Sequence, residues 1–201
     1  MFRPLAAALA LMLLTAPMAM AAPSTDPADM PAGTYEVDKT HASLIARVQH
    51  MGLAAYTVRF TGFDATYAWD PKSPQTARVE ATLQAASLDT GEPKFNGEFA
   101  EKFLDAKANP TIRFISTSIV QTSPGKGTMT GDLTLRGVTK PVTLDVTFDG
   151  YAAGMGGQRS GFSARGVIKR SEFGSTFLLN PPMAMVGDEV ELILELEFVK
   201  K

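Results

Sequence analysis

The chain of 201 residues carries 19 Lys and Arg against 21 Asp and Glu, a formal net charge of −2, and contains no cysteine. A chain so close to neutrality lacks the basic surface of nucleic-acid-binding proteins, so we expect no nucleic-acid partner. The missing cysteines exclude disulfide bonds and a lipid attached to an N-terminal cysteine. The length suits one domain with a hydrophobic core.

The first 21 residues have the composition of a secretory signal peptide. Arg3 precedes an apolar run from Leu5 to Met20, which ends in the small-x-small cleavage pattern Ala19-Met20-Ala21. This run is shorter than the roughly 20 residues of a membrane-spanning helix. We therefore predict a signal peptide over residues 1–21 and a periplasmic protein, with full secretion as the alternative. Its removal would leave 18 basic and 21 acidic residues, a net charge of −3.

Residues 22–32 contain three prolines and show no apolar periodicity. This composition predicts a flexible leader ahead of a single domain over residues 33–201.

Strands dominate the secondary structure that the domain sequence predicts. Apolar and polar residues alternate along 79–85, 142–148 and 190–198, as in antiparallel strands with one buried face. Two architectures fit such alternation: a closed eight-stranded barrel, which can hold one small ligand, and a two-sheet sandwich. The pattern alone does not separate them. About eight strands of useful length are predicted: 33–49, 58–70, 77–88, 111–121, 127–136, 141–150, 160–170 and 188–199.

One segment has helical periodicity instead. Phe95, Phe99 and Phe103 lie four residues apart between Pro93 and Pro110, which places three rings on one helical face. We expect this helix to pack over the core, where it could also close the mouth of a barrel. Five glycines between residues 150 and 161 predict a mobile loop.

The motifs of common enzymes are incomplete. Residues 161–165 end in Arg165 where a nucleophile elbow needs glycine, and residues 125–127 lack the Ser or Thr of a phosphate-binding loop. Residues 154–159 lack the third glycine of a dinucleotide fingerprint. We therefore expect neither a cofactor nor a catalytic residue.

The two histidines, His41 and His50, are too far apart to share a metal ion. Nine residues along an unbroken strand span about 30 Å and place the two side chains on opposite faces. Carboxylates would have to complete any coordination sphere, and none has a recognisable ligand spacing. We predict no metal site and interpret both histidines as structural.

Short motifs throughout the chain agree with one protein family. Tyr35, Asp38, His41 and Ser43 are spaced as Tyr-x-x-Asp-x-x-His-x-Ser, and His50 follows. The chain resembles the YceI-like family over most of residues 33–200. Further segments fall in the order of the family's motifs: 69–71, 87–91, 103–105, 109–114, 130–146, 170–174 and 186–190.

The resemblance implies an all-β fold, an extended eight-stranded antiparallel lipocalin-like barrel with one or two short helices. Its lumen would take a polyisoprenoid, a quinone or a similar long-chain lipid. His41, Ser43 and His50 belong to the family motif without an assigned role. Seven inward apolar residues would form the ligand-binding wall, although each could equally be ordinary core: Phe114, Leu133, Leu135, Leu144, Val146, Leu192 and Leu194.

One difference from relatives concerns the headgroup of such a lipid. Relatives often carry a His- and Arg-containing stretch between positions 95 and 103, whereas this chain has Glu-Phe-Ala-Glu-Lys over residues 98–102. Recognition of a phosphate or another anionic headgroup is therefore not carried over to this chain.

The main hypothesis is a periplasmic, non-enzymatic carrier of a long-chain isoprenoid or quinone-like lipid. Two alternatives stay open. One is an enzyme or stress-response factor that uses His41 on a lipid headgroup, and the other is an accessory protein that delivers quinone to a membrane cytochrome. A homodimer, in which strands pair across two copies, is also compatible with the pattern.

Overall fold

A computed structural model describes residues 22–154 and 156–201. The predicted signal peptide over residues 1–21 lies outside the described residues. None of the helices in the described ranges is long and apolar enough to cross a membrane. The main elements are β1 (Gly33–His50), β2 (Ala54–Phe60), β3 (Phe63–Trp69), β4 (Arg78–Gln84), β5 (Leu88–Asp89), α1 (Pro93–Leu104), β6 (Thr111–Ser123), β7 (Lys126–Leu135), β8 (Val138–Gly154), β9 (Gly157–Lys169) and β10 (Val186–Lys200).

Antiparallel pairing closes the sheet into a barrel. The order around the barrel is β10-β9-β8-β7-β6-β4-β3-β1, and β10 pairs with β1. The long β1 pairs with β3 through its first residues and with β2 through its last ones, so β2 and β3 share one position. The closed eight-position barrel confirms the predicted fold class and removes the two-sheet sandwich.

A bulge in β1 shifts which residues face inward. Val37 pairs with Phe198 and Ala42 with Leu196, so residues 38–41 bulge out opposite a single residue, Glu197. Inward positions are odd-numbered before the bulge and even-numbered after it, because the extra residues change the phase of the alternation. The bulge therefore places His41 on the outside of the barrel and His50 at its inner wall.

The turn that joins β7 to β8 needs a left-handed backbone conformation at both of its residues. Arg136 and Gly137 both have positive φ angles, 53° and 74°, as a two-residue hairpin turn of the primed type requires.

Within β7, a Cβ atom on Gly131 would overlap the ring of Phe114 on β6. Glycine at this position therefore allows the ring to approach the backbone of the neighbouring strand closely.

Residues 22–32, predicted to be a flexible leader, pack against the barrel. Ser24 pairs with Tyr151 through two 2.8 Å backbone hydrogen bonds, and Met30 is 1% exposed. The Tyr35 hydroxyl donates to the carbonyl of Pro31 over 2.8 Å. A single apolar anchor such as Met30 has no periodicity, which explains why the leader's composition did not indicate it.

Residues 150–154 and 157–161 of the glycine-rich segment are strand, so the predicted loop over 150–161 is wrong. β8 and β9 pair along most of it, up to Gly154 opposite Gly157. A register shift between Phe148 and Gly150 marks a bulge, and Gly150 there has a φ of 150°. Glycine in these strands therefore marks a bulge, where the sheet bends.

The predicted helix is confirmed as α1, Pro93–Leu104. Neighbouring rings along one face, Phe95 with Phe99 and Phe99 with Phe103, have centroids 5.5 Å apart. The helix packs against β5 and the short turn before it, and so covers one end of the barrel. We call this the α1 end, which also contains the β1–β2 turn (51–53) and the β9–β10 connection (170–185). The opposite end, where residues 22–32 lie, is the leader end.

The barrel lumen as candidate functional site

The interior of the barrel is an apolar cavity of about 950 Å³. Ligand pockets have volumes of roughly 300 to 1,000 Å³, so this one is at the upper end of that range. All seven residues predicted as lumen wall border the cavity: Phe114, Leu133, Leu135, Leu144, Val146, Leu192 and Leu194. Their contact with a lipid remains a prediction.

The other half of the wall was not among the residues that the sequence predicted to line the lumen. It comes from β1 to β4 and includes Leu44, Ala46, Tyr56, Val58, Phe60, Phe63, Ala65, Ala81 and Leu83. A signal existed, since Tyr56, Val58 and Phe60 alternate with polar residues. The break at residues 61–62 obscured this signal, because it divides what would otherwise be one strand of the barrel into the short strands β2 and β3.

Four polar side chains of the described residues border the cavity at the α1 end: those of His50, Tyr56, Arg170 and Ser175. His50 pairs with Val186 on β10, and the Val186 carbonyl in turn accepts a hydrogen bond from Arg170. The rings of Phe99 and Phe103 border the cavity at the same end. This end thus offers a few hydrogen-bonding groups among aromatic rings.

Arg170 is buried, and its hydrogen-bonding capacity is largely used by the backbone. Its Nε donates to the Gly187 carbonyl over 2.7 Å, Nη1 to the Ser175 carbonyl over 2.8 Å and Nη2 to the Val186 carbonyl over 2.9 Å. The guanidinium carbon lies 5.4 Å from the ring centroid of Phe103. Arg170 therefore ties the β9–β10 connection to α1, which gives the motif at residues 170–174 a structural role.

Charge around Arg170 is balanced by Asp188. Burial lowers the pKa of Arg170, and the negative charge of Asp188 opposes this effect. Partial burial raises the pKa of Asp188, but hydrogen bonds from the Ser171 N–H and hydroxyl, both 2.8 Å, outweigh it and the pKa falls. The carboxylate of Asp188 is thus held in its charged form, and Arg170 stays charged because a guanidinium keeps its proton in proteins even when its pKa is lowered.

At the leader end, aromatic packing fills one side of the barrel and polar residues border the other. Tyr35 and Tyr67 stack with centroids 4.8 Å apart, and the Tyr67 hydroxyl lies 2.6 Å from that of Ser160. Burial raises the pKa of Tyr67, so the phenol stays neutral. The cavity reaches this end beside Asp26, Gln75, Gln121 and Lys126.

Outside the barrel, Asp38, His41 and Glu197 bring three potential metal-ligand atoms within 4.8 Å of one another. Arg159 already occupies this cluster, since its Nη1 donates to Asp38 Oδ2 over 2.7 Å and to Glu197 Oε2 over 3.0 Å. Hydrogen bonds from Thr40, Arg159 and His41 lower the pKa of Asp38. The guanidinium already bonds to both carboxylates that a metal ion would need, so the cluster is an ion-pair network that joins the β1 bulge to β9 and β10.

The three motif residues without an assigned role lie in different places. His41 is exposed, and its Nδ1 lies 3.0 Å from Asp38 Oδ2. Ser43 pairs with Glu195 on β10 and is not among the residues that border the cavity. His50 alone of the three borders the cavity. The structure therefore does not bring His41 and His50 together.

Comparison with known proteins agrees with the fold and with the motifs. The YceI-like domain family matches residues 35–198. A UPF0312 protein of Serratia proteamaculans is 36% identical over 173 residues, which cover 84% of this chain and 88% of the relative. The protein YceI of Salmonella arizonae is 37% identical over 174 residues, 85% of this chain and 88% of the relative.

Solved structures of similar proteins have the same barrel. BcnA of Burkholderia cenocepacia aligns with a TM-score of 0.71 and 27% identity over 80% of this chain and 98% of its own. The YceI protein of Campylobacter jejuni aligns with a TM-score of 0.64 and 30% identity over 76% of this chain and 90% of its own. A polyisoprenoid binding domain from Saccharophagus degradans shares the fold at 14% identity, with a TM-score of 0.61 over 83% of this chain and 98% of its own. By its sequence match and its barrel, the chain belongs to the YceI-like domain family.

Proposed function

We propose that this protein binds one long-chain lipid in the barrel lumen and carries it without converting it. The observation that carries this proposal is the apolar cavity of about 950 Å³, which is bordered by inward side chains from both halves of a closed barrel. The polyisoprenoid binding domain from Saccharophagus degradans, which has the same fold, supports an isoprenoid or a quinone-like lipid as the ligand class.

The energetics favour retention of a long chain. Burial of each CH₂ group contributes about 0.8 kcal/mol, so an isoprene unit of five carbons contributes several times that amount. Association costs about 4 to 15 kcal/mol in lost freedom. A chain of several units therefore stays bound in an enclosed apolar lumen.

The polar groups at the α1 end of the cavity favour a neutral headgroup over a diphosphate there. Arg170, the cation at the α1 end of the described wall, already donates to three carbonyls. An anionic headgroup there would have to compete with those bonds and lose its water. A quinone, phenol or amide needs one or two hydrogen bonds, which His50 and Tyr56 can supply.

We further propose that the protein acts in the periplasm, on the basis of the signal-peptide pattern of residues 1–21. A membrane cytochrome as the recipient of a quinone, and a homodimer, remain predictions. Co-purification with a cytochrome would test the first, and sedimentation equilibrium the second.

The test is mass spectrometry of an organic extract from the mature protein, purified from the periplasm without detergent. We expect a stoichiometric, neutral long-chain lipid. Ala81→Trp should strongly reduce the bound lipid, because Ala81 lies at the middle of β4 and borders the cavity. Thr82→Trp, at the neighbouring exposed position, should retain it. Extracts of the wild type that contain no lipid, or equal amounts in both variants, would reject the lumen as the binding site.

A further inference from the structure

Large apolar side chains are exposed at the α1 end. Leu53 is 83% exposed at the tip of the β1–β2 turn, and Met51 is 56% exposed beside it. Phe95, in the first turn of α1, is 36% exposed, and Met183, in the β9–β10 connection, is 58% exposed. We call these four residues, Met51, Leu53, Phe95 and Met183, the apolar rim.

The apolar rim is linked to the lumen through packed side chains and backbone contacts. The Met51 N–H donates to the Met185 carbonyl over 2.8 Å, which joins the β1–β2 turn to the connection that carries Met183. Phe95 stacks on Phe99, and the Phe99 ring lies 6.1 Å from that of Tyr56. Phe99 and Tyr56 both border the cavity, so apolar surface continues from the rim into the barrel.

The size of the apolar rim decides against a stable dimer as its occupant. Its four side chains expose on the order of 450 Å² of surface, if each large side chain has roughly 200 Å² when fully exposed. A stable protein interface needs about 800 Å² from each partner. The combined exposed area of the four side chains is thus only about half of what a dimer interface needs.

The chemistry around the apolar rim fits a lipid surface. The Lys94 ammonium lies 4.9 Å from the centroid of the Phe95 ring. On a bilayer, this arrangement would let the ring enter the acyl region while the cation stays among the headgroups. The acidic residues Glu92 and Glu98 flank Lys94 in sequence, so the patch is not strongly basic. Apolar insertion, and not attraction to anionic lipids, should therefore dominate.

We propose that the apolar rim docks this protein onto the surface of a phospholipid bilayer, with the α1 end of the lumen facing the lipid. The purpose of this docking, exchange of cargo between bilayer and lumen, rests on the proposed function. Docking itself does not, because it can be measured on protein without cargo.

The test is flotation of the mature protein with phosphatidylcholine vesicles. The wild type should bind, and Leu53→Asp and Phe95→Asp should each weaken the vesicle partition roughly tenfold, since each removes one inserted apolar side chain. Val120 and Val167 are matched controls, because they are 54% and 58% exposed but lie on β6 and β9, outside the rim. Val120→Asp and Val167→Asp should change the partition less than twofold.

Several results would overturn the docking proposal. They are no flotation of the wild type, equal losses in rim and control variants, or a concentration-dependent dimer that Leu53→Asp dissolves. Leu53→Ser and Phe95→Ser should show the same loss of vesicle binding, which would exclude misfolding caused by the introduced aspartate charge as its reason. Extracts from Leu53→Asp should still contain the lipid. If the wild type floats normally but its extract holds no lipid, the carrier function fails and the docking surface stands.

Discussion

Arg159 and Asp38 are joined by a 2.7 Å hydrogen bond between Nη1 and Oδ2, across 121 residues of sequence. Because Arg159 also bonds to Glu197 on β10, the contact ties β9, β10 and the bulge of β1 together. The same guanidinium explains why a cluster with metal-ligand geometry serves as an ion-pair network in this protein.

We predict that Asp38→Asn lowers stability at neutral pH and has a smaller effect in acid. The pKa of Asp38 is lower in the folded state than the roughly 3.9 of an unfolded chain. The contribution of Asp38 to the free energy of unfolding is therefore complete above a pH of about 4 to 5 and is lost as the pH falls further. Urea unfolding at several pH values should show the free energies of the two proteins converging below pH of about 4.

The control for this pH series is Asp64→Asn, because Asp64 is an exposed carboxylate whose ion pair is with the exposed Lys39. It should change the free energy of unfolding little at any pH. A constant difference between wild type and Asp38→Asn throughout the series would contradict the assigned role of Arg159 and Asp38.

Arg170→Met should destabilise the barrel by about 3 kcal/mol or more. The substitution leaves three carbonyls without their donor and Asp188 without its nearby positive charge. Arg165→Met is the matched control, since Arg165 is exposed and contacts Glu195 at 3.5 Å. We expect that control to cost less than about 1 kcal/mol. Equal urea midpoints for the two variants would refute the anchoring role of Arg170.

Asn96→Ala should loosen α1 without unfolding the barrel. The Asn96 side chain accepts from the Thr90 N–H over 2.9 Å and donates to Asp89 over 3.1 Å, which fastens the helix to β5. We expect the amides of α1 to exchange faster, because the free energy of opening the helix should fall by about 1 to 2 kcal/mol. Glu98→Ala, on the exposed face, should leave exchange unchanged. Faster exchange throughout the barrel would mean that α1 is not an independent unit.

His41→Ala should leave lipid retention unchanged and lower stability by no more than about 1 kcal/mol, because its imidazole is exposed and outside the barrel. The alternative of an enzyme acting through His41 predicts instead that an activity on a lipid headgroup disappears while the fold persists. Three measurements on the wild type and His41→Ala separate the two hypotheses: the lipid content of the organic extract, the melting temperature and the conversion of candidate lipids. Loss of a headgroup conversion in His41→Ala alone would establish the enzyme and refute the carrier without catalysis.

Local features of this protein could be predicted from its sequence because they depend on short-range periodicity. The alternation along 142–148 and 190–198 predicted strands and their inward rows, and the spacing of Phe95, Phe99 and Phe103 predicted α1. The family motifs then indicated the barrel. Composition failed where a single residue or a bend mattered, as with Met30 in the leader and the glycines of residues 150–161.

The amino-acid sequence by itself determined which residues have an apolar face to bury, since side chains alternate across every strand. Only the tertiary structure decided that β10 closes on β1, that the bulge at 38–41 shifts the phase of β1, and that Arg159 reaches Asp38. These features join residues far apart in the chain, and no local pattern encodes such pairings. The size of the lumen is likewise a property of the closed barrel and of no single strand.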